Sequence, residues 1–90
     1  MAAFTYILHC ADGTFYTGWT NNLALRLVKH QNGKGAKYTR ARLPVYLAYW
    51  EAFENKSDAM RREAEIKKYP RKQKLALVET MGKDLTGITG

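Results

Sequence analysis

Ninety residues, 46% hydrophobic and 12% aromatic, suffice for one modest core; they exclude a disordered chain and leave no room for a second module. No apolar run approaches the roughly 20 residues that cross a bilayer, and Met1 to Tyr6 carry no basic stretch followed by an apolar one, so neither a membrane span nor a secretory signal is expected. The net charge is +7, and the lone Cys10 excludes an internal disulfide and fits a reducing cytoplasm, with nucleoid association compatible.

Phe4 to Cys10 is β-branched and aromatic and reads as a strand; Ala11-Asp12-Gly13 is a turn, and Thr14 to Trp19 returns as a second strand. The turn permits two registers. A two-residue turn at Asp12-Gly13 would put Tyr6 and Tyr16 on opposite faces. A three-residue loop with Gly13 in the left-handed region would pair Leu8 with Tyr16 and place both phenols on one face. The second register is the expected one. Thr20-Asn21-Asn22 offers an N-cap, after which Leu23, Leu27 and His30 recur at helical spacing until Gly33. Residues 33–44 read as a basic loop closed by Pro44, and Val45 to Phe53 as a third strand. Ser57 is expected to cap a helix running to Tyr69, Pro70 to interrupt it, and Arg71 to Met81 to form a further helix. The expected fold class is α+β: a small three-stranded antiparallel sheet flanked by helices in the order β-β-α-β-α-α. One domain over 1–82 is followed by a loose tail, 83–90.

Between Arg26 and Arg42 lie Arg26, Lys29, Lys34, Lys37, Arg40 and Arg42, with no acidic residue among them. Such a cluster repels itself unless it faces a polyanion, of which nucleic acid is the obvious one; the alternative is a solvated basic surface. Arg26 and His30 are one helical turn apart on the same face, a fixed positive fork beside a group that moves protons near neutral pH, or else an ordinary surface pair. Glu63 falls within the expected apolar stripe of Ala59, Met60, Ala64 and Ile66. A carboxylate facing a core must be paired or must hold a cation. Arg62 or Lys67 could pair it, or it could serve as a hard oxygen ligand for Mg²⁺. His9 reads as a strand residue and Cys10 as a small buried side chain.

Phe4-Thr5-Tyr6, then Tyr16-Thr17-Gly18, then Arg26, with Glu63 on a later helix, resemble the GIY-YIG nuclease signature. The segment from Gly33 to Arg40, followed by Pro44, is similar to the small single-domain bacterial branch of that superfamily, and the resemblance covers about residues 4–80. It implies that Tyr16 activates the attacking water or relays its proton, with Tyr6 as companion. It implies further that Arg26 steadies the scissile phosphate and that Glu63 binds one Mg²⁺ or Mn²⁺ ion. Phe4-Thr5 stands where the signature has Gly-Ile, and Trp19 where other members place a lysine; His30, similar to a helix histidine of other members, is expected to take over proton transfer.

The expected function is therefore a metal-dependent endonuclease acting on DNA rather than RNA, structure-selective for branched, nicked or single-stranded forms. Lys29, Lys34, Lys37, Tyr38, Arg40 and Arg42 are the expected nucleic-acid contacts, with Tyr38 stacking on a base. The alternatives are a binding module without turnover and a subunit that needs a protein partner for activity or specificity.

Overall fold

The computed structural model describes residues 2–89, with side chains over 2–81. Its elements are β1 (Ala3–Cys10), β2 (Phe15–Thr20), α1 (Leu23–Gln31), α2 (Lys37–Arg40), β3 (Val45–Phe53), α3 (Lys56–Lys67) and α4 (Arg71–Thr89). The strands form one antiparallel sheet in the order β2-β1-β3. β1 is the central strand and both its faces are covered, which is why it reads as an almost unbroken apolar run rather than an alternating one.

The hairpin adopts the three-residue register. Gly13 has φ 84°, Cys10 N–H donates to Thr14 O at 2.9 Å, and Leu8 lies opposite Tyr16. Asp12 rigidifies the loop by accepting from the Thr14 N–H at 3.1 Å and its hydroxyl at 2.6 Å. Tyr6, Leu8, Cys10 and Tyr16 consequently share a face, where they pack with Leu23 and Leu27 of α1 and with Val45 and Leu47 of β3. The opposite face buries Ile7 and Tyr49 against Ile66 of α3, with Phe15, Tyr69, Leu77 and Val78 around them. A bulge at Ala48 shifts the β1–β3 register, so that Leu47 faces Leu8 while Tyr49 faces Ile7.

Local signals set the helix ends. Asn22 caps α1 by accepting from Leu25 N–H at 3.1 Å. At its other end Gly33 takes φ 76°, with Lys34 N–H donating to Lys29 O at 2.8 Å and Gly33 N–H to His30 O at 3.0 Å, a Schellman closure that needs a residue free of Cβ strain. The structure departs from the sequence reading in three places. Residues 33–44 are not all loop, because Lys37–Arg40 wind into the short helix α2. Asn55 rather than Ser57 caps α3, accepting from Asp58 N–H at 2.9 Å, since the chain leaves β3 only two residues earlier. The buried line of α3 is Ala59 and Ile66, and Met60 and Ala64 are exposed. The tail 83–90, expected to be loose, falls outside the residues whose side chains are described.

α3 is fastened over the sheet by two polar devices. The Thr5 hydroxyl donates to Ala59 O at 2.7 Å. Arg62 donates through Nε to Glu51 Oε2 at 2.9 Å, to Glu65, and to Tyr69 Oη at 3.1 Å, while Tyr49 Oη donates to the same Glu51 oxygen at 2.7 Å. Burial and the carboxylate beside it push the Tyr49 phenol up to about 12. Arg62, next to Glu63, is therefore committed to Glu51 and Glu65 and is not the partner of Glu63.

Candidate active site

Tyr6 is the centre of the site. It pairs with Gly18 across the hairpin, and its phenol lies directly over that glycine: a Cβ at position 18 would sit 2.5 Å from Tyr6 Oη, 2.7 Å from its Cζ and 3.3 Å from Tyr16 Cε2. The glycine of the Tyr-x-Gly motif is thus the floor on which the first phenol rests. Gly35 plays the matching part above His30, because a side chain there would enter the imidazole ring.

Tyr6 and His30 are 3% and 1% exposed and meet in a buried hydrogen bond, Oη to Nε2, of 2.8 Å. On the far side of the ring, Nδ1 is 2.8 Å from Thr39 Oγ1, and that hydroxyl donates its one hydrogen to Ala36 O at 3.1 Å. The direction of the whole chain follows. Thr39 can only accept from His30, so Nδ1 carries the hydrogen, Nε2 of the neutral ring is bare, and Tyr6 donates to it. Burial and then the Arg26 charge lower the His30 pKa, which favours this neutral form. Burial, the neighbouring Tyr16 and the Glu63 carboxylate push the Tyr6 phenol well above its usual range, against the pull of Arg26. The Arg26 and Glu63 charges therefore act in opposite directions on one phenol.

Tyr16 stands in a column of rings. It is tilted on His30 at 5.3 Å and stacked on Tyr38 at 5.9 Å, and the Arg42 guanidinium lies over the Tyr38 ring at 3.7 Å. Arg42 is fixed in turn, by Asp12 Oδ2 at 2.9 Å and Tyr38 O at 3.0 Å. Among the described residues no protein group hydrogen-bonds the Tyr16 hydroxyl, and the side chain is half-buried. Tyr16 therefore presents its phenol where Tyr6 and His30 are already engaged with each other.

Glu63 follows Ala59 by one turn on α3. Its side chain is 20% exposed, and its only ion-pair partner among the described residues is Lys67, at 3.7 Å. No group of three His, Cys, Asp or Glu side chains that could hold a metal occurs among the described residues, so Glu63 would bind an ion without a preformed protein cage. One carboxylate, with waters and a substrate phosphate to complete the shell, suits Mg²⁺ or Mn²⁺.

The structure thus brings Tyr6, Tyr16 and His30 into contact, and the charges of Arg26 and Glu63 act on Tyr6. Of the expected nucleic-acid contacts, Lys29, Lys34, Lys37 and Arg40 are exposed. Arg42 and Tyr38 are occupied with each other and with Asp12 and Tyr16, so the Tyr38 ring already has aromatic and cationic neighbours. Thr39, Gly35 and the spatial role of Gly18 carry no signal in the sequence beyond small residues in a basic loop and a motif glycine.

The family model described as the GIY-YIG catalytic domain matches residues 2–76. The chain is 57% identical over 77 residues to a UPF0213 protein of Clostridium perfringens, covering 86% of this chain and 83% of that protein. It is 51% identical over 76 residues to a UPF0213 protein of Staphylococcus epidermidis, covering 84% and 93%. Two solution NMR structures resemble it: a UPF0213 protein of Bacillus halodurans, at 48% identity and TM-score 0.58 over 89% of this chain and 85% of that one, and a protein of E. faecalis, at 42% identity and TM-score 0.60 over 91% and 88%. The chain belongs to the GIY-YIG family, and its fold is that family's nuclease fold.

Proposed function

We propose that the protein is a metal-dependent endonuclease that hydrolyses DNA phosphodiesters, with selectivity for branched, nicked or single-stranded structures, and that it works in the cytoplasm. The observation that carries this reading is the buried 2.8 Å hydrogen bond between Tyr6 Oη and His30 Nε2, whose direction from phenol to ring follows from the Thr39 hydroxyl. A tyrosine–histidine pair held out of water, with the ring nitrogen facing the phenol kept bare, is a proton acceptor waiting for a donor.

In the proposed reaction Tyr16, with its free hydroxyl, positions the attacking water. As the water oxygen bonds to phosphorus, its proton passes to Tyr6 Oη while Tyr6 gives its own to His30 Nε2. The two transfers are concerted because the raised pKa of Tyr6 disfavours a standing phenolate. The ester P–O bond breaks, its electron pair leaves on the ester oxygen, which takes a proton from solvent, and His30 then returns its extra proton to solvent. Arg26 stabilises the charge that builds on the phosphoryl oxygens. Glu63 would hold the single Mg²⁺ or Mn²⁺ ion, which when bound supplies positive charge against the leaving oxygen. Lys29, Lys34, Lys37 and Arg40 draw in the phosphate backbone; Tyr38 and Arg42 contribute chiefly by holding Tyr16.

The test is a panel of labelled duplex, nicked, branched and single-stranded DNA and matched RNA, incubated with Mg²⁺ or Mn²⁺. Cleavage is expected on DNA and is expected to fall at least 100-fold in Tyr6→Phe and Glu63→Ala, as loss of a relay or of a metal ligand predicts, about 3 kcal/mol or more of barrier. Cleavage unchanged in both variants overturns the mechanism, and no cleavage of any form by the wild-type protein overturns the assignment.

A further inference from the structure

A second concentration of charge lies outside the reaction centre. Lys67, Lys68, Arg71, Lys72 and Lys74 fall within eight residues, and no acidic residue occurs between Glu65 and Glu79. Five carboxylates are paired among the described residues: Asp12 with Arg42, Asp58 with Arg61, Glu51 and Glu65 with Arg62, and Glu63 with Lys67 of this corner. Among the described residues no carboxylate stands within ion-pair distance of Lys68, Arg71, Lys72 or Lys74. Lys68, Arg71 and Lys72 are exposed and Lys74 is half-buried.

The position of this corner, where α3 turns into α4, is fixed by the hairpin. Arg71 Nη1 donates to Gly13 O at 2.7 Å, and its guanidinium lies over the Phe15 ring at 4.8 Å. Phe15 belongs to the face of the sheet that α3 covers. The segment carrying Lys34, Lys37 and Arg40 reaches the same hairpin from the α1 side, through Arg42 to Asp12 at 2.9 Å and Ala11 N–H to Arg42 O at 3.0 Å. Two cationic segments far apart in the chain therefore converge on one short loop, one from each face of the sheet, and Asp12, the acid between them, is already neutralised by Arg42. Tyr16 lies one residue beyond the Phe15 that Arg71 covers.

Like charges gathered from two directions repel unless a polyanion opposes them. A single strand supplies one line of phosphates and needs one of these segments. A duplex supplies two phosphate ridges separated by a groove about 6 Å wide on the minor side and about 12 Å on the major. We propose that the corner of Lys67, Lys68, Arg71, Lys72 and Lys74 is a second backbone-binding surface, and that the protein grips duplex nucleic acid with one strand on each cationic segment and the hairpin loop facing the groove. The identity of the polyanion rests on the nuclease reading; the placement of the surface does not depend on turnover.

The test is binding of the full chain, without divalent metal, to a duplex of about two helical turns and to a single strand of equal length, across 50–200 mM salt. Each lost phosphate contact removes about 0.9 from the slope of log K against log salt. Lys68→Ala/Lys72→Ala/Lys74→Ala is expected to make the duplex slope shallower by about 2 to 3, and the single-strand slope by less than about 1. The replaced side chains are largely solvent-facing, so unchanged circular dichroism and melting should accompany the loss; a Lys34→Ala/Lys37→Ala variant should reduce the duplex slope separately. If the wild type binds duplex and the triple variant keeps its slope, or if both substrates lose slope equally, the second surface is overturned while the nuclease reading stands. If the wild type binds neither form, both are overturned.

Discussion

Thr39→Val is the most informative single change, because it removes two hydrogen-bonding functions and almost no volume. The Thr39 hydroxyl is buried, accepts from His30 Nδ1–H at 2.8 Å and donates to Ala36 O at 3.1 Å. With valine in its place, His30 either keeps its hydrogen on Nδ1 as an orphaned buried donor or moves it to Nε2, where it opposes the Tyr6 hydroxyl. The orphan costs about 1–3 kcal/mol. The alternative tautomer is therefore admitted whenever its own cost is smaller, and it removes the acceptor on which Tyr6 depends.

On the proposed mechanism the same 1–3 kcal/mol appears in the barrier as a loss of about 5- to 150-fold in single-turnover rate. Two measurements separate this from mere loosening of the fold. Nitrogen-15 spectra of the histidine rings report the tautomer directly, and the exposed His9 is the only other histidine. Thr39→Ser, which keeps the hydroxyl and loses a methyl, should retain both the wild-type ring pattern and the rate while sharing part of the packing cost. If Thr39→Val leaves Nδ1 protonated, Nε2 bare and the rate within twofold of wild type, the directed chain from Tyr6 to Ala36 plays no part in setting the base.

Three further outcomes are expected. Gly18→Ala places a methyl 2.5 Å from Tyr6 Oη, forcing the phenol off His30, and should lower the denaturant midpoint by the equivalent of about 1–3 kcal/mol and abolish cleavage; an unaltered midpoint would show that the phenol yields freely. Glu51→Gln leaves Arg62 and Tyr49, joined to Glu51 at 2.9 and 2.7 Å, without their shared charge, and thermal unfolding should reveal a loss of about 1–3 kcal/mol, or several degrees in Tm. Because the His30 pKa lies below its ordinary 6.5 in the folded state, the unfolded chain binds the extra proton first: the contribution of His30 to stability is complete above about pH 6.5 and declines as pH falls toward the folded value. Urea titrations from pH 7.5 to 5 should show that decline in wild type and a flatter profile in His30→Gln, and equal slopes would refute the buried neutral imidazole.

The parts of the molecule legible in the sequence are those whose signals are local. Gly13 closing a three-residue loop sets the hairpin register, and the register alone decides that Tyr6 and Tyr16 share a face. Arg26 and His30 follow from helical spacing once Asn22 and Gly33 mark the ends of α1. The apolar stripe expected around Glu63 is only partly the real one: Met60 and Ala64 are exposed, and the buried line is Ala59 and Ile66, with Glu63 half-buried between them. α2 was missed because four residues are too few to display a period, and this turn exists through contacts that composition does not encode, Thr39 to His30 and Tyr38 to Tyr16. The Glu51–Arg62 pair was missed for the same reason, its members belonging to different elements.

Those unread contacts determine what the motif residues can do. A tyrosine and a histidine at 2.8 Å are compatible with either direction of hydrogen bonding, and the direction is decided two bonds away, by a threonine whose single hydrogen is taken by a carbonyl within its own turn. That turn is held in place by Gly35 lying flat on the imidazole and by Arg42 clamped between Tyr38 and the hairpin aspartate. The hairpin loop thus does more than set strand register: through Asp12 it anchors the segment that orients the base, and through Gly13 it receives Arg71 from the other face. The hairpin loop is therefore where the two cationic segments and the segment that orients His30 meet, because Arg42 and Arg71 are both tied to it.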